Sequence, residues 1–321
     1  MRLIFAGTSG FAATCLTALH EASFTIAVVI TRPPRPAGRG RTAGPSPVAQ
    51  VARASGLPVR APRDINAPEE IVPLTQMAAD VMVVAAYGRI LGAEILRLPP
   101  AGCVNVHASL LPAWRGASPV AHALLAGEAR TGVTLMQMDA GLDTGPLLAA
   151  ATTPIGEGET RGELTDRLAV IGAELLVREL PGIVAGTVRP RPQDPSRASL
   201  APPLRKADGH LDFAQAAPVV ARRVQAFSPR PGAFTFVRGK RMLIRRARAV
   251  GAGTVDLGPS AAPGAVGRPG PAPGVPVRCG DGTALLLERI QMAGRSEVDA
   301  LAALHGRQLA VGELLGDGAS R

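Results

Sequence analysis

The residues best suited to chemistry lie in one stretch, Gly102 to Thr144. Asn105 and His107 stand two positions apart in a short apolar run, so a strand would place both side chains on the same face. A second apolar run, Val133 to Met138, leads into a polar loop that contains Asp143. We therefore expect an amide, an imidazole and a carboxylate at the ends of strands that could lie side by side.

These three side chains suit direct attack of one bound substrate on a carbonyl carbon of another. The amide of Asn105 and a charged His107 can donate hydrogen bonds to a developing oxyanion, usually the largest contribution to acyl-transfer catalysis. A carboxylate near the histidine would favour its charged form, and either group could relay the proton that leaves the nucleophile. No serine or cysteine lies in a nucleophile-elbow motif. Taken singly, the histidine could equally be a core residue and the aspartate a turn former.

Composition argues against a metal centre and a membrane protein. The other four histidines are scattered, and the three cysteines show neither metal-ligand nor disulfide spacing, which suits a reducing compartment. Met1 leads directly into a predicted strand, and no apolar run approaches the ~20 residues that span a bilayer. We expect a cytoplasmic protein without a metal ion or membrane contact, and a monomer.

The first third of the chain alternates predicted strands and helices. Residues 2–7 and 24–30 are short apolar runs, and residues 10–21 between them have helical spacing. This order is the opening βαβ unit of a parallel sheet. The turn from Gly7 to Gly10 lacks the dinucleotide-binding glycine pattern, and no acidic residue ends the second strand. We therefore do not expect a nicotinamide cofactor.

The alternation continues to Val188, so we predict an α/β domain over residues 1–188. Ser46 is expected to cap a helix that has Pro47 at its first position. Asp80 to Tyr87 is the strongest predicted strand, and ligands bind beyond the carboxyl ends of such strands in open parallel sheets.

A loop at residues 31–47 carries four arginines, Arg32, Arg35, Arg39 and Arg41. A structureless loop of this length is uncommon in a compact domain and is usually functional. Arginine binds phosphate through paired hydrogen bonds, so the loop is a candidate phosphate contact. A flexible surface insertion is the alternative.

Residues 189–206 are rich in proline, arginine and serine, which predicts a linker. A second domain, residues 207–321, contains short basic strands that predict a small β-barrel of the OB type: Ala233–Val237, Arg241–Val250, Val275–Cys279 and Ala284–Gln291. Between them, Gly258 to Gly274 is of low complexity and is expected to be a mobile loop.

The net charge of +10 is concentrated in this second region. Residues 1–200 carry 18 basic and 16 acidic side chains, a balance of +2, whereas residues 201–321 carry 17 and 9, a balance of +8. An acidic partner such as nucleic acid would account for this excess, and a solubility charge is the alternative.

Several motifs resemble a known family. The run NVHASLLPAWRGASP, residues 105–119, closely resembles the signature of formyltransferases that use 10-formyltetrahydrofolate, and MQMDAGLDTG, residues 136–145, resembles its second half. The AGRGR loop, the SPRPGAF turn and the CGDGTALLLERIQ run resemble the methionyl-tRNA formyltransferase branch. Ala108 agrees, because purine-pathway members usually carry proline there.

The resemblance implies a Rossmann-like parallel-sheet formyltransferase domain followed by an OB-like barrel. It implies formyl transfer from 10-formyltetrahydrofolate, a co-substrate, to methionyl initiator tRNA in translation initiation, with Asn105, His107 and Asp143 as catalytic residues. The implied folate-binding residues are Tyr87, Gly88, Ser109, Leu110, Leu111, Pro112, Asp139, Gly141 and Leu142. The implied tRNA-binding residues are Arg35, Arg39, Arg41, Lys206, Arg245 and Arg246.

Three alternatives remain. A formyltransferase for an amino sugar or a purine precursor shares the central motif but has less reason for the arginine loop and the basic barrel. A 10-formyltetrahydrofolate hydrolase, in which water replaces the amine, needs neither. A non-catalytic RNA-binding protein on a degenerate fold would have no use for the three site residues together.

Overall fold

The computed structural model describes residues 1–34, 44–251, 253–257 and 262–316. The chain divides into two compact units. The first comprises Met1–Pro119, Arg130–Pro154 and Thr165–Pro202, and the second comprises Val120–Ala129, Ile155–Leu164 and Pro203–Arg321.

The first unit is built on a seven-stranded sheet with the order β3-β2-β1-β4-β5-β6-β7. Its strands are β1 (Arg2–Gly7), β2 (Thr25–Ile30), β3 (Val59–Arg60), β4 (Val81–Ala85), β5 (Cys103–His107), β6 (Arg130–Gln137) and β7 (Leu147–Pro154). The first five pair in parallel, which confirms the predicted sheet, whereas β6 and β7 are antiparallel. Central strands of this sheet, such as β4, are buried throughout, as expected for parallel strands covered on both faces.

In the part of the chain that the structure describes, six helices precede residue 185: α1 (Gly10–Glu21), α2 (Pro47–Ala54), α3 (Pro68–Gln76), α4 (Ala93–Arg97), α5 (Pro119–Ala126) and α6 (Arg161–Val184). Helix α2 begins as predicted, because Ser46 Oγ accepts a hydrogen bond of 3.0 Å from the backbone N–H of Ala49 and Pro47 occupies the first turn.

Strand pairing fixes where the candidate site lies. Asn105 pairs with Val84 on β4 and with Met136 on β6, while His107 pairs with Thr134. Because β6 is antiparallel to β5, the end of β6 lies beside the start of β5 rather than beside His107. The loop that follows β6 must therefore turn back to bring its carboxylate to the site.

The second unit contains an antiparallel sheet of β8 (Ala233–Val237), β9 (Lys240–Val250), β10 (Val275–Arg278), β11 (Ala284–Met292) and β12 (Glu297–Asp299). Helices α7 (Ala217–Phe227) and α8 (Ala300–His305) belong to the same unit. The four predicted strands are present with ends within one residue of those observed. This antiparallel arrangement agrees with the predicted OB-like domain.

The predicted mobile loop at Gly258–Gly274 is corrected for residues 262–274, the part that the structure describes. Val266 is buried and bridges Val277, and the N–H of Gly267 donates a 2.8 Å hydrogen bond to the carbonyl of Pro276. The low-complexity composition gave no indication that two apolar residues in it, Ala265 and Val266, are buried against the rest of the second unit.

The three cysteines are buried and unpaired. Burial raises the pKa of Cys15 and Cys103 to about 12 and that of Cys279 to about 11. These thiols stay protonated at neutral pH and present no thiolate nucleophile. Within the described ranges, no group of three or more potential metal-ligating residues occurs, and no helix is long and apolar enough to cross a bilayer.

Candidate active site

The amide, imidazole and carboxylate that the sequence singled out meet at strand β5. Asn105 Nδ2 lies 3.4 Å from Asp143 Oδ1, and His107 Nδ1 lies 3.7 Å from Asp143 Oδ2. Asn105 and His107 are buried, and the side chain of Asp143 is 14% exposed. Because water has little access to these three polar groups, electrostatic interactions between them are strong.

Backbone groups hold the carboxylate of Asp143 in place. Its Oδ2 accepts a 2.8 Å hydrogen bond from the N–H of Gly116, and its own φ of 54° lies in the left-handed region. Gly116 has a φ of 121°, and a Cβ there would lie 2.8 Å from the carbonyl oxygen of Ala201. Only glycine permits that approach, so the N–H that fixes Asp143 depends on Gly116.

The backbone also fixes the tautomer of His107. Nε2 lies 3.0 Å from the carbonyl oxygen of Trp114, which can only accept, so Nε2 carries the proton. Trp114 holds its carbonyl there with a φ of 64°, which is a true outlier for a bulky residue. Nδ1 is the nitrogen left facing Asp143.

Burial lowers the pKa of His107, while the charge of Asp143 and the Trp114 carbonyl oppose that shift less strongly. We therefore take His107 as neutral at pH 7, with an unprotonated Nδ1 facing Asp143. Two acceptors cannot hydrogen-bond, which agrees with their 3.7 Å separation. As expected, the charge of Asp143 favours the charged imidazole, but desolvation of His107 has the larger effect on its pKa.

The Ser109–Pro112 segment is held by its own hydrogen bonds. Ser109 is fully buried and donates 2.7 Å to the carbonyl of Ala113. Thr134 Oγ donates a hydrogen bond of 2.7 Å to the carbonyl of Ser109 and accepts one of 3.1 Å from the N–H of Leu111. The Ser109 hydroxyl therefore shapes the loop, and the predicted contacts of Leu110, Leu111 and Pro112 with folate stay predictions.

The loop after β6 is a turn built on Asp139. Its Oδ1 accepts hydrogen bonds from the N–H of Gly141 at 3.0 Å and from Thr144 Oγ at 2.7 Å. Leu142, next to Asp143, leaves 63% of its surface exposed. Asp139 and Gly141 thus form the turn, and Leu142 provides an apolar surface beside the polar site.

Tyr87 and Gly88 follow β4, the neighbour of β5. The Tyr87 side chain is buried, which raises its pKa to about 12, and its carbonyl accepts a 3.0 Å hydrogen bond from Thr8 Oγ. Gly88 has a φ of 74°, and a Cβ there would lie 3.2 Å from Arg32 Nη1. Tyr87 is a neutral packing residue here, and the folate contact of this pair stays a prediction.

The predicted tRNA-binding residues differ in their surroundings. Arg35, Arg39 and Arg41 lie outside the described residues. Lys206 is exposed. In the second unit, Arg245 Nη1 donates 2.7 Å to the carbonyl of Pro229, while Arg246 lies 3.1 Å from Glu163 and 3.5 Å from Glu288.

Arg245 is therefore held by a hydrogen bond to a backbone carbonyl, and the charge of Arg246 is partly balanced by two carboxylates. Both line a cavity of about 640 Å³ together with Arg230 and Arg289. Their contact with tRNA stays a prediction.

Sequence reasoning missed several residues that fix the site. Trp114 and Gly116 entered only as part of the motif run at residues 105–119, although the sole tryptophan, two residues before a glycine, could have marked a constrained turn. Nothing in the sequence marks Thr134 as a site residue, because it is only one position of a predicted strand. The predicted linker supplies two more, Gln193 and Ser199, which hydrogen-bond to the site loops.

The chain is similar to known proteins over nearly its whole length. A formyl transferase family model matches residues 1–180, and a formyl transferase C-terminal domain model matches residues 203–308. The methionyl-tRNA formyltransferase of Thiobacillus denitrificans is 49% identical over 316 residues, or 98% of this chain and 100% of that protein. That of Solibacter usitatus is 45% identical over 318 residues, or 99% of each.

Among solved structures, HypX from Aquifex aeolicus in complex with tetrahydrofolic acid has a TM-score of 0.66 and 18% identity, covering 97% of this chain and 48% of that chain. At that identity the likeness concerns the fold alone, and it agrees with the predicted fold class. Together with the relatives above, these matches show that the chain belongs to the formyl transferase family, in the methionyl-tRNA formyltransferase branch.

Proposed function

We propose that this protein transfers the formyl group of 10-formyltetrahydrofolate to the α-amino group of methionyl initiator tRNA, acting as a cytoplasmic monomer. The observation that carries the proposal is the buried meeting of Asn105, His107 and Asp143 at the end of β5. That arrangement offers one N–H donor, one imidazole nitrogen that can accept a proton and one carboxylate within a few ångströms, a set that suits acylation of an amine.

The formyl donor fits the surroundings of these side chains. Leu142 exposes an apolar surface one residue from Asp143, which suits a flat heterocyclic ring. Leu111 and Pro112 belong to a loop whose conformation is fixed by two hydrogen bonds with Thr134. We assign these segments to the donor, together with the chain after Tyr87.

Each reacting atom has a partner among the three groups. As the amine nitrogen bonds to the formyl carbon, Asn105 Nδ2 donates a hydrogen bond to the oxygen that gains negative charge. His107 Nδ1 accepts the proton that the amine loses, and Asp143 stabilises the imidazolium that results. The same proton then passes to the folate nitrogen as its bond to the formyl carbon breaks.

The tRNA side of the proposal depends on charge. The +8 balance of residues 201–321 gives phosphate affinity, with Lys206, Arg245 and Arg246 as contacts. The arginine loop, including Arg35, Arg39 and Arg41, engages the acceptor end. Affinity for tRNA should therefore fall steeply as salt rises.

The deciding experiment is an acceptor competition. Formyl transfer from 10-formyltetrahydrofolate is followed with methionyl initiator tRNA, methionyl elongator tRNA and water as acceptors. Strong preference for the initiator supports the proposal, and Arg39→Ala should then raise the KM for tRNA. Turnover without tRNA preference would instead assign a hydrolase or a small-molecule formyltransferase.

A further inference from the structure

The chain between the two family-model matches contributes to the active site. We propose that Gln193 and Ser199, both on the segment Arg191–Ala201, are positioning residues that hold the catalytic loops in register. This inference rests on the formyl transfer proposed above. Sequence composition gave this segment the role of a linker, and every contact described below lies within the first unit.

Gln193 joins the two loops that meet at the site. Its Nε2 donates to the carbonyl of Asp143 at 2.9 Å and to that of Gly145 at 2.7 Å. Its Oε1 accepts from Arg115 at 3.1 Å and 2.7 Å, through Nε and Nη2. One side-chain amide thus connects the loop that carries Asp143 to the Trp114–Gly116 turn. Both of its N–H groups donate hydrogen bonds.

Ser199 acts on the other half of the site. Its Oγ accepts a 2.9 Å hydrogen bond from the N–H of Trp114, and its carbonyl accepts 2.8 Å from the N–H of Arg115. Trp114 is the residue in the left-handed conformation whose carbonyl binds His107 Nε2. The Ser199 hydroxyl therefore helps to keep a strained peptide in the orientation that selects the histidine tautomer.

Backbone pairing fixes both ends of the segment. Leu147 and Arg191 exchange two hydrogen bonds, of 2.7 Å and 2.8 Å, and the N–H of Ala201 donates 2.7 Å to the carbonyl of Arg115. The N–H of Ser118 donates 3.1 Å to the carbonyl of Ala201. A segment that only connects two domains does not need backbone hydrogen bonds to the site loops, whereas a segment that positions those loops does.

The proposal predicts a defect in turnover rather than in binding. Neither side chain contacts His107 or Asn105 directly, so their loss acts through the positions of Asp143 and Trp114. Displacement of a catalytic group by about 1 Å can cost about 10²-fold in rate. We expect that effect on kcat, with the KM of either substrate changed less than about threefold.

Gln193→Met and Gln193→Glu test the amide. Methionine keeps the length and loses all hydrogen bonds, and glutamate keeps the acceptor for Arg115 but turns a carboxylate oxygen towards two carbonyls. Both should lower kcat, by about 10²-fold. Asp194→Ala is the matched control, because the side chain of Asp194 accepts hydrogen bonds from Ser196 in the same segment.

Ser199→Ala and Ser199→Thr test the hydroxyl. Alanine should lower kcat about tenfold, the effect of one hydrogen bond, and threonine should restore most of it. Nitrogen-15 spectra of labelled histidine, with His107 assigned through His107→Gln, give a second readout. The native protein should show the Nε2–H tautomer at His107, and Ser199→Ala should populate the Nδ1–H form.

The outcomes separate this inference from the proposed function. The spectra report the His107 tautomer whatever acceptor the enzyme uses, so they test Ser199 even if initiator tRNA is not the substrate. Unchanged kcat in Gln193→Met, with only a lower unfolding temperature, would overturn the positioning role. A raised KM for tRNA at unchanged kcat would also overturn it and make the segment an RNA contact.

Discussion

The two sheets of this protein hold their polar side chains in opposite ways. In the first unit, Asn105, His107 and Asp143 are largely buried, and main-chain groups such as the Gly116 N–H and the Trp114 carbonyl fix them. In the second unit, the arginines of β9 are partly or largely exposed, and two of them, Arg246 and Arg248, pair with glutamates on nearby elements.

The difference matches the roles that we propose for the two regions. A reaction needs fixed geometry and little water, because hydrogen bonds and charges act more strongly where solvent is excluded. Binding a polyanion needs many mobile cations, each of small individual worth. The first sheet therefore concentrates its effect in three residues, while the second distributes it over many.

Replacing the histidine should have the largest effect on turnover. His107→Gln removes the nitrogen that takes the amine proton, and such a loss typically costs about 10²–10⁴-fold in kcat. Steady-state rates at saturating substrates measure it, with the exposed His20→Gln as the control. A loss below threefold would show that His107 is not the proton acceptor.

Replacing the amide comes next. Asn105→Ala removes the donor to the oxyanion, so kcat should fall about 10²–10³-fold while folate affinity stays nearly constant. Single-turnover rates and equilibrium folate binding separate the two quantities. Weaker folate binding at an unchanged rate would contradict the assigned role.

Replacing the carboxylate tests the electrostatics of the buried region. The charge of Asp143 raises the pKa of His107 against the larger effect of burial. Asp143→Asn removes that support, so the pKa of His107 should fall further and the imidazole should protonate only at a lower pH.

Histidine chemical shifts followed against pH measure this change, and Asp139→Asn in the same loop is the control. In the native protein, His107 should titrate below its ordinary value of 6.5. A rise of the pKa in Asp143→Asn would mean that the carboxylate does not face the ring in solution.

A single basic residue in the second region should have a smaller effect. Lys206→Ala removes one exposed charge, so tRNA affinity should weaken modestly and the slope of log affinity against log salt should fall by about 1. Filter binding over a salt series measures both. A change in kcat at saturating tRNA with an unaltered slope would assign Lys206 another role.

The two regions should also differ in how much a lost polar contact lowers stability, although these effects are the smallest. Thr134→Val breaks two buried hydrogen bonds near the site and should lower the free energy of unfolding by about 1–3 kcal/mol. Arg246→Ala breaks an ion pair whose partners are 48% and 49% exposed, and it should cost at most about 1 kcal/mol. Urea unfolding of both variants tests the order, and the reverse order would contradict the comparison.

The prediction of the fold succeeded where burial dictates pattern. Ala233–Val237 is recognisable as a strand because its buried side chains alternate, and Val81–Ala85 because it is a short, continuous apolar run. The prediction was wrong for residues 262–274 of the segment expected to be a mobile loop, and it left the direction of β6 open. Two buried residues in a low-complexity run carry little periodicity, and apolar content does not encode whether a strand pairs parallel or antiparallel.

The sequence by itself determined the chemistry on offer. The types and spacing of Asn105 and His107 placed an amide and an imidazole on one strand, and the polar loop after the next apolar run supplied Asp143. Alternation of side chains along a strand is a local property, so the sequence is enough to read it.

Only the tertiary structure decided how these groups act. Burial lowers the pKa of His107, and the carbonyl of Trp114 accepts a hydrogen bond from Nε2 and so selects the tautomer. The contact of Gln193 with Asp143 joins positions 50 residues apart. Desolvation and hydrogen bonding depend on which chain segments meet in space, and no local pattern records that meeting.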